Sequence, residues 1–262
     1  MLKIALISLN QKWEDKQYNL QRCADLTNRA AALGAEIVIF PEMTLTAFTM
    51  DTVFSAEDPN SSDSINAFSQ LALKHKISLI AGVVLQTGIK SANALVAFSK
   101  DGVERARYVK IHPFSFVGED NYFQAGNRLS TMQLNELKLG FSICYDLRFP
   151  ELYSALAKDC DVLVNIANWP KRRLQHWKTL LQARAIENQT YMIGVNRVGT
   201  DGNGLEYEPS SMIFDANGER IEPIISESEI DLFELSLQSL EVFRSSFSTK
   251  QDRQPELYRA II

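Results

Sequence analysis

Short apolar runs rich in β-branched residues recur along the whole chain and alternate with stretches whose apolar residues fall at helical spacing. Glu36-Ile37-Val38-Ile39-Phe40, stopped by Pro41, and Val162-Leu163-Val164-Asn165-Ile166 are typical; each is too short for a helix and reads as a buried strand. On this pattern strands are expected at about 2–9, 36–40, 77–86, 92–98, 103–109, 137–143, 161–166, 190–197, 210–215, 219–225 and 229–235. Helices are expected at about 15–33, 63–76, 150–158, 170–189 and 236–246. So many strands interrupted by amphipathic helices require helices that cover sheet faces, which is the α/β class. The pattern alone leaves open whether the strands form one sheet or two. With 262 residues, 45% of them hydrophobic, and no strong linker, the chain suits a single domain over 1–262. Ser55 to Ser64, with Pro59 and Asn60, reads as a surface loop.

A formal charge of −5 without long charge runs argues against a nucleic-acid partner, which would call for a basic face. The apolar start, Leu2 to Leu9, is too short for a membrane span and is followed by Asn10-Gln11-Lys12 with no small-residue cleavage site. It is expected to be the first strand, with no membrane partner, and the cytoplasm is the expected compartment. Cys23, Cys144 and Cys160 are too irregularly spaced for a disulfide framework or a zinc site. His75, His112 and His176 are scattered, so neither a metal nor a cofactor is expected. His75 reads as a helix-end surface residue, His112 as a tether for its loop, and His176 as lying on the helix after Pro170. Cys23 shares helical spacing with Leu20, Leu26 and Ala30 and reads as core.

Cys144 differs from the other two cysteines. It stands where the apolar run Leu137 to Ile143 breaks into the polar turn Tyr145-Asp146-Leu147-Arg148. A thiol on a sharp turn at a strand end is exposed to a reacting carbonyl beside free backbone N–H groups. Glu42 follows a second expected strand, and Lys110 closes a third. In α/β sheets ligands gather outside strand ends, so the three can meet although they are far apart in sequence. A thiol reacts as its thiolate and needs a base, for which Glu42 is the candidate. The oxyanion formed on attack needs donors, for which Lys110 and the N–H of Tyr145 are candidates. Arg173 is the candidate for holding a substrate carboxylate, since a guanidinium grips such a group in bidentate fashion. Arg148 is expected to brace the turn. Trp169 and Phe48 are candidates for the pocket wall.

These residues resemble the nitrilase superfamily of carbon–nitrogen hydrolases, whose members use a Glu-Lys-Cys triad. Phe40-Pro41-Glu42, Tyr108-Val109-Lys110-Ile111-His112 and Ile143-Cys144-Tyr145-Asp146-Leu147-Arg148-Phe149-Pro150-Glu151 carry the likeness, which covers nearly the whole chain. It implies a four-layer α-β-β-α sandwich, a homodimer joined through one helical layer, and a second glutamate at Glu119, with Asp120 as the neighbour that could be confused with it. Ala167-Asn168-Trp169-Pro170, Ala183 to Gln189 and Asn196-Arg197-Val198-Gly199 are similar to the ω-amidase branch, which implies a small α-keto acid monoamide as substrate. An N-carbamoyl amino acid amidohydrolase or a nitrilase is the alternative, and a non-catalytic binding protein a further one.

Overall fold

The computed structural model describes the backbone of residues 1–261 and the side chains of 1–258. Strand β1 (Leu2–Ile7) leads through helix α1 (Lys16–Ala32) to β2 (Ile37–Ile39), then α2 (Thr52–Ser55) and α3 (Asp63–His75). Three strands follow, β3 (Ser78–Gln86), β4 (Ser91–Phe98) and β5 (Glu104–Val109), and then the single turn α4 (Glu119–Tyr122). The second half runs β6 (Thr131–Leu134), β7 (Leu137–Ile143), α5 (Pro150–Leu156), β8 (Val162–Ala167), α6 (Leu174–Asn188) and β9 (Tyr191–Asn196). A small hairpin, β10 (Gly199–Thr200) and β11 (Glu206–Tyr207), precedes β12 (Met212–Phe214), β13 (Arg220–Ile221), β14 (Ile225–Glu227) and β15 (Ile230–Leu235). Helices α7 (Leu237–Ser246) and α8 (Pro255–Ile261) end the described chain.

The strands form two large sheets, ordered β14-β15-β1-β2-β3-β4-β5 and β13-β12-β9-β8-β7-β6. The centre of each is parallel: β1, β2 and β3 in the first, β7, β8 and β9 in the second. Side chains alternate along a strand, so each sheet has two faces to bury. Leu2, Ile4 and Leu6 of β1 and Ile37 and Ile39 of β2 share one core with Phe141, Ile143, Val164 and Ile166 of the other sheet. Their neighbours in sequence, Ala5, Ile7 and Val38, pack instead with Cys23, Leu26 and Ala30 of α1 and Phe68 of α3. Beyond the second sheet, Leu163, Ala167 and Met192 pack with Leu152 and Leu156 of α5 and Trp177, Leu181 and Ala185 of α6. The layers therefore run helices, sheet, sheet, helices, and each fully buried aliphatic side chain contributes about 1.5–3 kcal/mol. No helix among the described residues is long and apolar enough to cross a membrane.

Beside short elements that the sequence pattern did not mark, α2, α4, the β10–β11 hairpin and α8, three local features depart from the sequence expectation. The strand expected over 219–225 is two short strands, because Pro223 cannot donate to a ladder; β13 joins one sheet and β14 the other. The helix expected from Pro170 begins at Leu174, after a 3₁₀ turn at Lys171–Arg173. Strand β6 pairs with β7 although Thr131 to Leu134 gives no strong apolar signal. Cys23 and Cys160 are both buried; burial holds the Cys23 thiol far above its ordinary range and pushes Cys160 up to about 11.

Candidate active site

Strand β7 ends at Ile143, and Cys144 turns the chain with φ +46°, a left-handed conformation that costs a β-carbon-bearing residue roughly 1–2 kcal/mol. Asp146, which is fully buried, holds the turn in place. Its Oδ2 accepts the N–H of Ile143 at 2.9 Å and the Tyr108 hydroxyl at 2.7 Å. Its Oδ1 accepts the N–H of His112 at 3.0 Å and lies 2.7 Å from His112 Nδ1. The residues flanking Lys110 are thereby fastened to the cysteine turn. From the other side Arg184 Nη2 donates to the carbonyl of Leu147 at 2.9 Å. The N–H of Tyr145 falls in the first turn of the 3₁₀ segment Cys144–Arg148, where backbone donors lack acceptors within the helix.

Glu42 lies just beyond β2, completely buried. Gln11 Nε2 caps the carbonyls of Glu42, Met43 and Thr44 at 3.1, 2.9 and 3.1 Å, which fixes the loop. Gly82 of β3 lets that loop lie against the strand, since a β-carbon there would stand 2.3 Å from the Met43 nitrogen. Asn168, following β8, donates its N–H to Glu42 Oε2 at 2.9 Å and its Nδ2 to the Glu42 carbonyl at 2.7 Å.

Lys110 follows β5, and its N–H bonds the carbonyl of Asn93 on β4 at 2.9 Å. Its Nζ, 1% exposed, donates to Glu42 Oε1 at 3.1 Å and to Glu119 Oε1 and Oε2 at 3.0 and 2.8 Å. Glu119 opens α4 and is buried, whereas Asp120 next to it is exposed. Asn93 Nδ2 bridges the two carboxylates, 2.7 Å from Glu42 Oε1 and 3.0 Å from Glu119 Oε1. Burial alone would depress the Lys110 ammonium, but Glu119 and then Glu42 outweigh it and hold the group above the ordinary lysine value. Burial, followed by the charge of Glu42, holds the Cys144 thiol well above the usual range, against the pull of Lys110. Such a thiol needs a neighbour to take its proton before sulfur can react, and the buried carboxylate of Glu42 is the candidate.

Cys144 and Lys110 open into a pocket of about 500 Å³, mouth included, walled by Phe48, Phe114, Tyr145, Trp169 and Tyr207. Phe48 lies under Lys110, with Nζ 5.4 Å from its ring centre. Trp169 is fixed through Nε1 to the carbonyl of Arg173 at 2.8 Å and through its N–H to Asn196 Oδ1 at 2.7 Å. Arg173 lines the pocket, its guanidinium carbon 5.3 Å from the Phe114 ring centre, with Arg172 beside it. Arg148, expected to brace the turn, also lines the pocket, 4.9 Å from the Trp169 ring and 3.3 Å from His176 Nδ1; Asp146 and Arg184 brace the turn instead. Burial and then Arg172 lower the pKa of Arg173, and none of the three arginines pairs with an acidic side chain among the described residues. His112 ties its loop to Asp146 and stacks on Phe149 at 3.7 Å, and His176 lies on α6. Among the described residues no His, Cys, Asp and Glu side chains group so as to hold a metal ion.

Glu42, Lys110, Glu119 and Cys144 thus come from four separate segments to one point. Sequence reasoning missed Asn93, Gln11, Asn168 and Asp146 as holders of that point; a polar residue within the otherwise apolar β4 was the available signal for Asn93.

A carbon–nitrogen hydrolase family model matches residues 3–244. The omega-amidase YafV of Yersinia enterocolitica is 34% identical over 254 residues, 96% of each chain. A 2-oxoglutaramate amidase of Paenarthrobacter nicotinovorans is 31% identical over 271 residues, 98% of this chain and 92% of its own. Among solved structures, XC1258 of Xanthomonas campestris, a CN-hydrolase superfamily protein with an arsenic adduct in its active site, matches with a TM-score of 0.89 at 29% identity over 97% of each chain. The sandwich, the site assembled between its sheets and the match across nearly the full length together place this chain in the carbon–nitrogen hydrolase family, as an enzyme with the nitrilase-superfamily fold.

Proposed function

We propose that the protein hydrolyses the terminal amide of short α-keto acid monoamides, 2-oxoglutaramate or 2-oxosuccinamate, to the keto diacid and ammonia through a thioester on Cys144. The observation that carries this reading is a buried Glu42–Lys110–Glu119 cluster beside the thiol, next to a pocket lined by three arginines that have no acidic partners among the described residues. The names of the relatives, an omega-amidase and a 2-oxoglutaramate amidase, support the substrate class.

In this mechanism Glu42 takes the thiol proton as sulfur attacks the amide carbon, and the carbonyl oxygen becomes an oxyanion received by the N–H of Tyr145 and by Lys110. Collapse breaks the C–N bond, and Glu42 returns the proton to the leaving nitrogen, which departs as ammonia. A water deprotonated by the same cluster then opens the thioester, and Glu119 holds Lys110 in place throughout. Arg173 grips the substrate's α-keto carboxylate, so that binding energy far from the reacting bond fixes the amide against sulfur. Trp169 and Phe48 shape the wall. The homodimer and the cytoplasmic setting belong to the same proposal, and sedimentation of the purified protein tests the first.

The test is ammonia release from a panel of amides, nitriles and N-carbamoyl amino acids. The keto acid amides are expected to lead, and hydroxylamine should divert the acyl-enzyme to a hydroxamate. Faster release from N-carbamoyl amino acids or nitriles at equal concentration would overturn the substrate assignment. Arg173→Ala is expected to raise KM or lower kcat/KM for the keto acid amide and leave a neutral amide nearly unchanged.

A further inference from the structure

A lysine ammonium has three N–H bonds to give. In this site all three have acceptors already: Glu42 Oε1 at 3.1 Å and Glu119 Oε1 and Oε2 at 3.0 and 2.8 Å. An oxyanion forming on the substrate can receive a donor from Lys110 only if one of these bonds is given up. Leaving a buried carboxylate oxygen without a donor is costly, so the bond to give up is one whose acceptor has a second donor. Glu42 Oε1 and Glu119 Oε1 both meet that condition, and in both the second donor is Asn93 Nδ2, at 2.7 and 3.0 Å. Glu119 Oε2, which also receives the N–H of Phe114, makes the shortest of the three bonds to Lys110, 2.8 Å, and is the one kept, so the two longer bonds that can be released both depend on Asn93.

We propose that Asn93 is a positioning residue for the reaction: by donating to Glu42 and Glu119 at once it lets Lys110 transfer one N–H from a carboxylate oxygen to the oxyanion. Three further observations fit this role. Asn93 is 1% exposed and is held by its backbone to Lys110, whose N–H it accepts at 2.9 Å. Its Oδ1 has no hydrogen-bond partner, so the side chain is oriented by the two carboxylates alone. A carbonyl oxygen turned toward them would repel both, which leaves one orientation of the amide. Asn93 is not among the residues that line the pocket and takes no part in covalent steps. The step it serves balances as before: the S–C bond forms, the carbonyl π pair moves to oxygen, the thiol proton passes to Glu42, and Lys110 remains charged. The proposal rests on the thiol mechanism above but not on the substrate.

Two reactions of Cys144 separate this role from a merely structural one. Release of p-nitrophenolate from p-nitrophenyl acetate passes through an oxyanion, and alkylation by iodoacetamide at sulfur does not. Asn93→Ala and the isosteric Asn93→Asp, which offers no N–H when ionised, are compared with the wild type. Both variants are expected to lose roughly 100-fold in kcat for the ester, the scale of losing one oxyanion donor, with KM held within about twofold and the alkylation rate of Asn93→Ala within about threefold of wild type. Wild-type kcat in Asn93→Ala would overturn the proposal, and so would a parallel collapse of alkylation and ester turnover, which would make Asn93 a general support of the site. Failure of the keto acid assignment shows differently, as a wild-type enzyme that releases p-nitrophenolate but no ammonia from 2-oxoglutaramate.

Discussion

Replacing Lys110 with Met removes one buried cation and leaves the volume of the side chain almost unchanged, so its effect is electrostatic. In the wild type the ammonium sits between two carboxylates that are 0% exposed, at 3.1 Å from Glu42 and 2.8 Å from Glu119. With the cation gone, Asn93 Nδ2 and the backbone N–H groups of Asn168 and Phe114 are the donors left to the two anions, and none carries charge. Removing one partner from a buried ion pair costs about 3–5 kcal/mol, much of a total stability of about 5–15 kcal/mol. With a urea slope of about 3 kcal/mol/M, the midpoint should fall by roughly 1–1.7 M. The origin of the loss is tested with Lys110→Met/Glu119→Gln, which removes one unpaired carboxylate as well. If the loss comes from uncompensated charge, the double variant unfolds at higher urea than Lys110→Met, by a coupling of about 1–3 kcal/mol. Equilibrium urea unfolding followed by tryptophan fluorescence and circular dichroism reads both values. A Lys110→Met midpoint equal to the wild type, or a double variant less stable than the single, would refute the reasoning.

Cys144→Gly should abolish turnover and yet raise stability by about 1 kcal/mol in thermal unfolding, because the +46° turn is free of strain for glycine. Iodoacetamide should label Cys144 alone in the native protein by mass spectrometry, since Cys144 lines the pocket while Cys23 and Cys160 are buried out of the reagent's reach. The alkylation rate should rise with pH beyond the ordinary thiol range, because the Cys144 thiol is held up by burial and then by Glu42; in Glu42→Gln the second cause is gone, so the profile should move to lower pH while turnover is lost. Gly82→Ala puts a methyl 2.3 Å from the Met43 nitrogen and displaces the Glu42 loop, so kcat should fall at least tenfold with most of the protein still folded by circular dichroism.

Charged residues at strand ends made most of the site legible in the sequence. Glu42 and Cys144 each follow a run so apolar that a polar residue after it has to mark the strand's end, whereas Lys110 closes the charge-rich extended segment Glu104 to Val109. Glu119 follows no such run; it was reached through family resemblance, and burial separates it from the exposed Asp120. Asn93 stayed hidden because one amide in β4 looks alike whether it faces a carboxylate pair or solvent. The number of sheets was hidden for a related reason: β3 and β8 are apolar at successive positions, and such runs do not say what covers either face. Lys171 to Arg173 fall within the helix expected at 170–189. They form a separate turn, in which Lys171 pairs with Glu208 at 2.7 Å and Arg173 turns to the pocket.

Glu42 and Lys110 are carried by the first sheet, and Cys144 and Asn168 by the second. Neither sheet holds the carboxylate, the ammonium and the thiol together, so the proposed active centre exists only while the two are pressed against each other. Catalytic rate is therefore a gauge of that docking, finer than any spectrum of secondary structure. A shift of about 1 Å between the layers would leave every strand intact and still cost about 100-fold in rate.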